Sequence, residues 1–151
     1  MNTAQIQQEL PAYVLTHTDS VLLLSIVTSM QEKLYVHDTT KLEAFIQNEV
    51  PSTFAPLFRN MLKSASVSEK EAYLEAITTT LGKLETLYLF LPYQPTRKQA
   101  QDFTDVFKKK YAAPFILKIE YTTNSIETLS WEYQGVRYTK SVLQSSDGPR
   151  T

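Results

Sequence analysis

The stretch from Leu84 to Val142 constrains the fold of this chain most, because it reads as strand, helix, strand and hairpin in direct succession. Leu87-Tyr88-Leu89-Phe90-Leu91 sets three leucines on one side of a short segment and two aromatics on the other, the two-residue period of a strand. Pro92 and Pro95 break the extended run. Thr96-x-x-Gln99 then has the form of a capping box, in which a hydroxyl and an amide satisfy free N–H groups at a helix start. Ala100, Phe103, Val106 and Phe107 recur at helical spacing, and Pro114 closes the segment just beyond Tyr111. Phe115, Leu117, Ile119 and Tyr121 alternate with Ile116, Lys118 and Glu120. Leu129, Trp131 and Tyr133 alternate with Ser130, Glu132 and Gln134. Gln134-Gly135 is a two-residue turn signal, after which Val136 and Tyr138 begin a returning strand. One helix is therefore expected to cover one face of a small sheet.

The first half is expected to be helical. Leu10-Pro11-Ala12-Tyr13 breaks the start, leaving the leading residues as a short helix or a loose arm. From Asp19 to about Val36, residues Leu22, Leu23, Ile26, Val27, Met30 and Leu34 make a wide apolar face. Thr40-x-x-Glu43 opens a second helix that Pro51 stops. Ser52 is a candidate cap for a third, and Ser68-x-x-Glu71 opens a fourth with Tyr73, Leu74, Ile77, Leu81 and Leu84 inward. Four helices with short connections pack most simply as an antiparallel bundle. The expected class is α+β: a helical bundle domain at 1–85, a small strand-helix-strand-hairpin domain at 86–143 and a flexible tail at 144–151. Residues 1–85 carry 10 acidic against 6 basic side chains and residues 86–151 carry 6 against 9, which suggests two units with different surfaces.

Residue types that carry chemistry are scarce. The chain has no cysteine, three glycines and two histidines, His17 and His37. These histidines flank a predicted helix of about 18 residues and so lie roughly 27 Å apart, too far to share a metal or a triad. Gly82, Gly135 and Gly148 are too dispersed for a phosphate-cradling loop. Glu69/Glu71 and Asp102/Asp105 read as solvated helix faces rather than as catalytic pairs. Lys108-Lys109-Lys110 reads first as a complement to a helix C-terminus and second as a contact for an acidic partner or nucleic acid. Strand aromatics could serve as a base-stacking platform, but a covering helix would consume most of them as core. No catalytic residue, cofactor site or metal site is expected.

From Leu87 to Val142 the chain resembles the C-terminal domain of the delta subunit of F-type ATP synthases, the counterpart of the oligomycin-sensitivity-conferring protein. The resemblance rests on Leu91-Pro92-Tyr93-Gln94-Pro95-Thr96, Lys108-Lys109-Lys110-Tyr111, Asn124-Ser125-Ile126 and the run Gly135 to Val142, in that order. Glu127-Thr128-Leu129 stands where the family carries paired glycines, and Thr139 where it carries an acid. Upstream, Leu10 to Thr16 with Asp19 and the helix after it resemble a shortened helical domain of the same family.

The resemblance implies a non-catalytic peripheral-stalk (stator) subunit, peripherally membrane-associated through the complex. Its helical domain would bind N-terminal helices of the alpha subunits, and its second domain the C-terminal coiled coil of the b subunit. Leu22, Leu23, Ile26, Val27 and Met30 are the candidates for the first contact, with Phe103, Phe107, Lys108 and Lys109 for the second. Other classes that fit the residues are a free-standing α+β interaction adaptor and a nucleic-acid-binding module using the lysine run. The N-terminus lacks a signal-peptide pattern and no apolar run reaches about 18 residues, so a cytoplasmic location is expected.

Overall fold

The computed structural model of this chain describes residues 3–35, 39–63, 66–123 and 128–141. His37, the Asn124-Ser125-Ile126-Glu127 segment and the expected tail at 144–151 lie outside the described residues. The fold is α+β, with helices in the N-terminal part followed by a small mixed sheet. Two compact units divide the chain at Lys83 and Leu84, and the short segment Leu15–His17 belongs with the second.

Among the described residues the first unit holds five helices: α1 (Thr3–Tyr13), α2 (His17–Tyr35), α3 (Thr39–Asn48), α4 (Ala55–Leu62) and α5 (Val67–Gly82). Each contributes fully buried side chains, including Ile6 and Leu10, Leu23 and Met30, Leu42, Leu57 and Phe58, and Leu74 and Ile77. Helix α1 packs on α5, and α4 on both α3 and α5. The Tyr73 hydroxyl donates to the Leu57 carbonyl and ties α5 to α4, while the Lys33 ammonium lies 4.3 Å from the Phe45 ring centre and ties α2 to α3.

Three local expectations are corrected here. Pro11 does not end the first helix; it sits in the last turn of α1, which stops two residues later, so the hydrogen bond it removes is one of the last. Ser52 does not cap α4. The Pro51 carbonyl accepts from the Phe54 and Ala55 N–H groups at 2.9 and 3.0 Å, and Phe54 takes the cap position with no side-chain hydrogen bond. For α5 the cap is Ser66 rather than Ser68: its hydroxyl accepts from the Glu69 N–H at 3.1 Å. Both serines precede a glutamate by three residues, and the earlier one starts the helix.

The second unit runs β1 (Glu85–Leu91), α6 (Arg97–Lys110), β2 (Phe115–Tyr121), β3 (Thr128–Tyr133) and β4 (Val136–Ser141). The sheet order is β2-β1-β3-β4, with β1 and β2 parallel and the other pairings antiparallel. A parallel neighbour needs a crossover, and α6 supplies it. Both halves of the Thr96/Gln99 capping box form, at 3.1 and 2.9 Å. The three leucines of β1 face a core with Phe115 and Leu117 from β2 and Trp131 and Tyr133 from β3, under Ala100 and Phe107 of α6. Val106, expected on that inward face, is 62% exposed, and Thr104 is buried instead. On the other side of the sheet Tyr88 and Phe90 are half-buried beneath Lys118 and Arg137, whose charged groups lie 5.8 and 4.2 Å from the ring centres. The β2 edge is extended by a parallel bridge from Thr16 to Leu117.

Candidate helix-binding groove

Within the helical unit, α2 carries two stripes. Ser20, Leu23, Ile26, Val27, Met30 and Leu34 are buried and hold the helix to its own core. Leu24, Thr28, Gln31 and Tyr35 follow a second line, at i, i+4, i+7 and i+11, that the core does not cover. Opposite this line α5 presents Glu71, Glu75 and Thr78 at i, i+4 and i+7. Together these seven side chains line an open groove of about 510 Å³. From Leu24 to Tyr35 the groove follows about three helical turns, roughly 16 Å. A second depression of about 350 Å³ along Thr28, Gln31, Glu32 and Tyr35 continues it on α2.

The groove sets two apolar side chains, Leu24 and Tyr35, with Thr28 and Gln31 between them, beside the acidic Glu71 and Glu75. Leu24 is 37% exposed and Tyr35 is 85% exposed, so both hold apolar surface in water that a partner could cover. The Thr28 and Thr78 hydroxyls donate to the Leu24 and Leu74 carbonyls of their own helices, at 3.0 and 3.3 Å, so they make little polar demand on an occupant. Glu71 and Glu75 add negative charge from α5, and Glu32 adds it from α2 at the second depression. An amphipathic helix with apolar anchors at i, i+3/i+4 and i+7 and a basic flank matches that pattern in shape and in charge.

Of the side chains proposed from sequence for the first contact, Leu23, Ile26, Val27 and Met30 are at most 5% exposed and belong to the core. Leu22 is 43% exposed and is available to a partner. Leu24 and Tyr35 do not stand out in the sequence because the widest apolar stripe dominates the pattern, and in a packed helix that stripe is the core-facing one. The signal was present as apolar residues outside the stripe: Val21, Leu22, Leu24 and Tyr35 are the exposed large hydrophobics of α2.

In the sheet unit, Lys108 and Lys109 are exposed in the last turn of α6, where they complement the helix dipole. Phe103 is half-buried against the sheet. Phe107 is 3% exposed, with its ring centre 5.2 Å from that of Trp131, and so is committed to the core. His17 is exposed at the first residue of α2. Asp102 pairs with Lys98 at 3.0 Å, and Asp105 accepts from the Gln101 amide at 2.9 Å, both at i, i+4 spacing on the exposed face of α6. Among the described residues no group of three His, Cys, Asp or Glu could hold a metal ion, and no helix is long and apolar enough to cross a membrane.

No protein-family model matches this chain, and no curated protein matches it.

Proposed function

We propose that the chain is a non-catalytic subunit that grips helices of neighbouring chains, and that it serves as the peripheral-stalk (stator) subunit of an F-type ATP synthase, joining the catalytic head to the b-subunit stalk. The observation that carries this reading is the α2/α5 groove, in which Leu24 and Tyr35 stand about three helical turns apart on α2 beside Glu71 and Glu75 of α5. A stator resists torque by holding helices in a stiff scaffold, and it requires grooves rather than reacting groups. The order of a helical unit ahead of a helix-covered sheet unit also supports it, since the resemblance of residues 87–142 implies that order. In this reading the groove takes an N-terminal helix of an alpha subunit, with Leu24 and Tyr35 as its contacts. Phe103, Lys108 and Lys109 on α6 face the b-subunit coiled coil, and membrane association comes through the complex alone.

The test is calorimetric titration of the full chain with an alpha-subunit N-terminal helix peptide. Saturable binding is expected, with Leu24→Glu weakening it by about tenfold or more, because a buried anchor contributes about 1–3 kcal/mol. A flat titration at tens of micromolar, alongside binding of an unrelated basic amphipathic helix, would favour the free-standing adaptor instead.

A further inference from the structure

The two edges of the sheet differ. At β2 the Leu117 N–H donates to the Leu15 carbonyl at 3.0 Å, so the segment before α2 occupies part of that edge. At the other side β4 is the outermost strand, and among the described residues no strand pairs with its outer edge. The register fixes which groups point outward. Gln134 and Gly135, with φ of 53° and 80°, form a two-residue turn closed by Tyr133 and Val136. Residues closing such a turn exchange hydrogen bonds, and hydrogen-bonded pairs alternate along an antiparallel ladder. Tyr138 and Lys140 therefore bond to β3. Arg137, Thr139 and Ser141 turn their N–H and C=O groups outward, as a template for another strand.

The side chains around this template are basic. On the helix-covered face, Lys140 follows Tyr138 along β4, and the Lys110 ammonium lies 5.3 Å from the Tyr138 ring centre and 5.2 Å from that of Trp131, which brings the end of the lysine run over this edge. On the other face the Arg137 guanidinium turns inward to lie 4.2 Å from the Phe90 ring centre of β1, with Glu132 as its cross-strand neighbour, so the cations nearest the edge are Lys110 and Lys140. Cations along an open edge discourage a strand of like charge, including β4 of a second copy, and favour one of opposite charge.

We propose that the outer edge of β4 accepts an acidic, extended peptide segment as a fifth strand, held by the outward backbone groups of Arg137, Thr139 and Ser141 and selected by Lys110 and Lys140. This surface belongs to the sheet unit and does not depend on the groove reading.

The test uses fluorescence anisotropy of a labelled peptide of about eight residues alternating Glu and Val, titrated with the full chain, beside the matching Lys/Val peptide. Saturable binding is expected for the acidic peptide, about tenfold or more weaker for the basic one. Lys110→Glu combined with Lys140→Glu should weaken it by about tenfold, with Lys98→Glu as an unaffected control. N-methylation of alternate peptide amides separates backbone pairing from charge without altering the protein: one alternate set should abolish binding and the other leave it intact. The proposal is overturned by absence of saturation at about 1 mM, by equal affinity for the basic peptide, or by undiminished binding of both methylated sets. A dimer of the free chain that Thr139→Pro dissociates would assign the edge to a second copy and overturn it as well.

Discussion

Two buried hydroxyls, Thr104 Oγ1 and Tyr133 Oη, have no hydrogen-bond partner among the described residues. An unmet buried polar group costs about 1–3 kcal/mol, so Thr104→Val and Tyr133→Phe are each expected to leave stability unchanged or raise it by up to about 1 kcal/mol. Chemical denaturation of each variant checks this, and a clear loss would mean that a bound water satisfies the group. Tyr73 is the opposite case, because its hydroxyl reaches the Leu57 carbonyl. Burial first, then the neighbouring Tyr13 and Glu9, push its proton affinity well above the usual tyrosine value of 10.0. A group whose folded pKa is raised contributes stability that is complete below its unfolded pKa and is lost as pH rises beyond it. Tyr73→Phe should therefore cost about 1 kcal/mol at neutral pH, yet lose less further stability than the parent chain between about pH 9 and pH 11. Parallel decline of the two proteins would show that Tyr73 does not control that window.

At the scale of single elements, helix α5 offers a contest between neighbouring serines. Ser66 makes the capping hydrogen bond, so Ser66→Ala should destabilise the chain by about 1 kcal/mol and Ser68→Ala by much less. Thr96→Ala should cost about as much at α6, where both halves of the box are formed. Equal effects of the two serine variants in thermal melts would contradict the assignment. The α6 box and the Gln134-Gly135 turn were legible in the sequence because their chemistry is local: a few residues at fixed spacing satisfy the backbone by themselves. Strand β1 was legible for a related reason, since its two-residue period separates buried leucines from half-buried aromatics, whereas in β2 Ile116 is buried and Tyr121 is exposed against the alternation. The start of α5 was ambiguous because two serine-glutamate pairs overlap, and propensity alone does not choose between them. Val106 was misplaced because an apolar side chain on an amphipathic helix need not face the core, and at Thr104 tertiary packing overrode polarity. Sheet order was not legible at all, because nothing local in β2 or β3 says that they flank β1 on opposite sides.

For the whole molecule, the α+β layout was legible in the sequence, and the groove behind the proposed function was not. A wide apolar stripe on α2 announced a buried helix, but most of that stripe closes the protein's own core, and the line that stays exposed over the groove is that of Leu24 and Tyr35 beside Glu71 and Glu75. The acidic excess of the first half survives in the structure as one wall of the groove, which predicts that binding of a basic helix weakens as salt is added. The most direct measurement of the proposed stator role is light-scattering titration of the full chain against an isolated F1 catalytic head, with and without the N-terminal helices of its alpha subunits. The expected result is a complex with one copy of this chain per head, lost on removal of those helices and weakened by about tenfold or more in Leu24→Glu. No complex at tens of micromolar, or one indifferent to both changes, would contradict it.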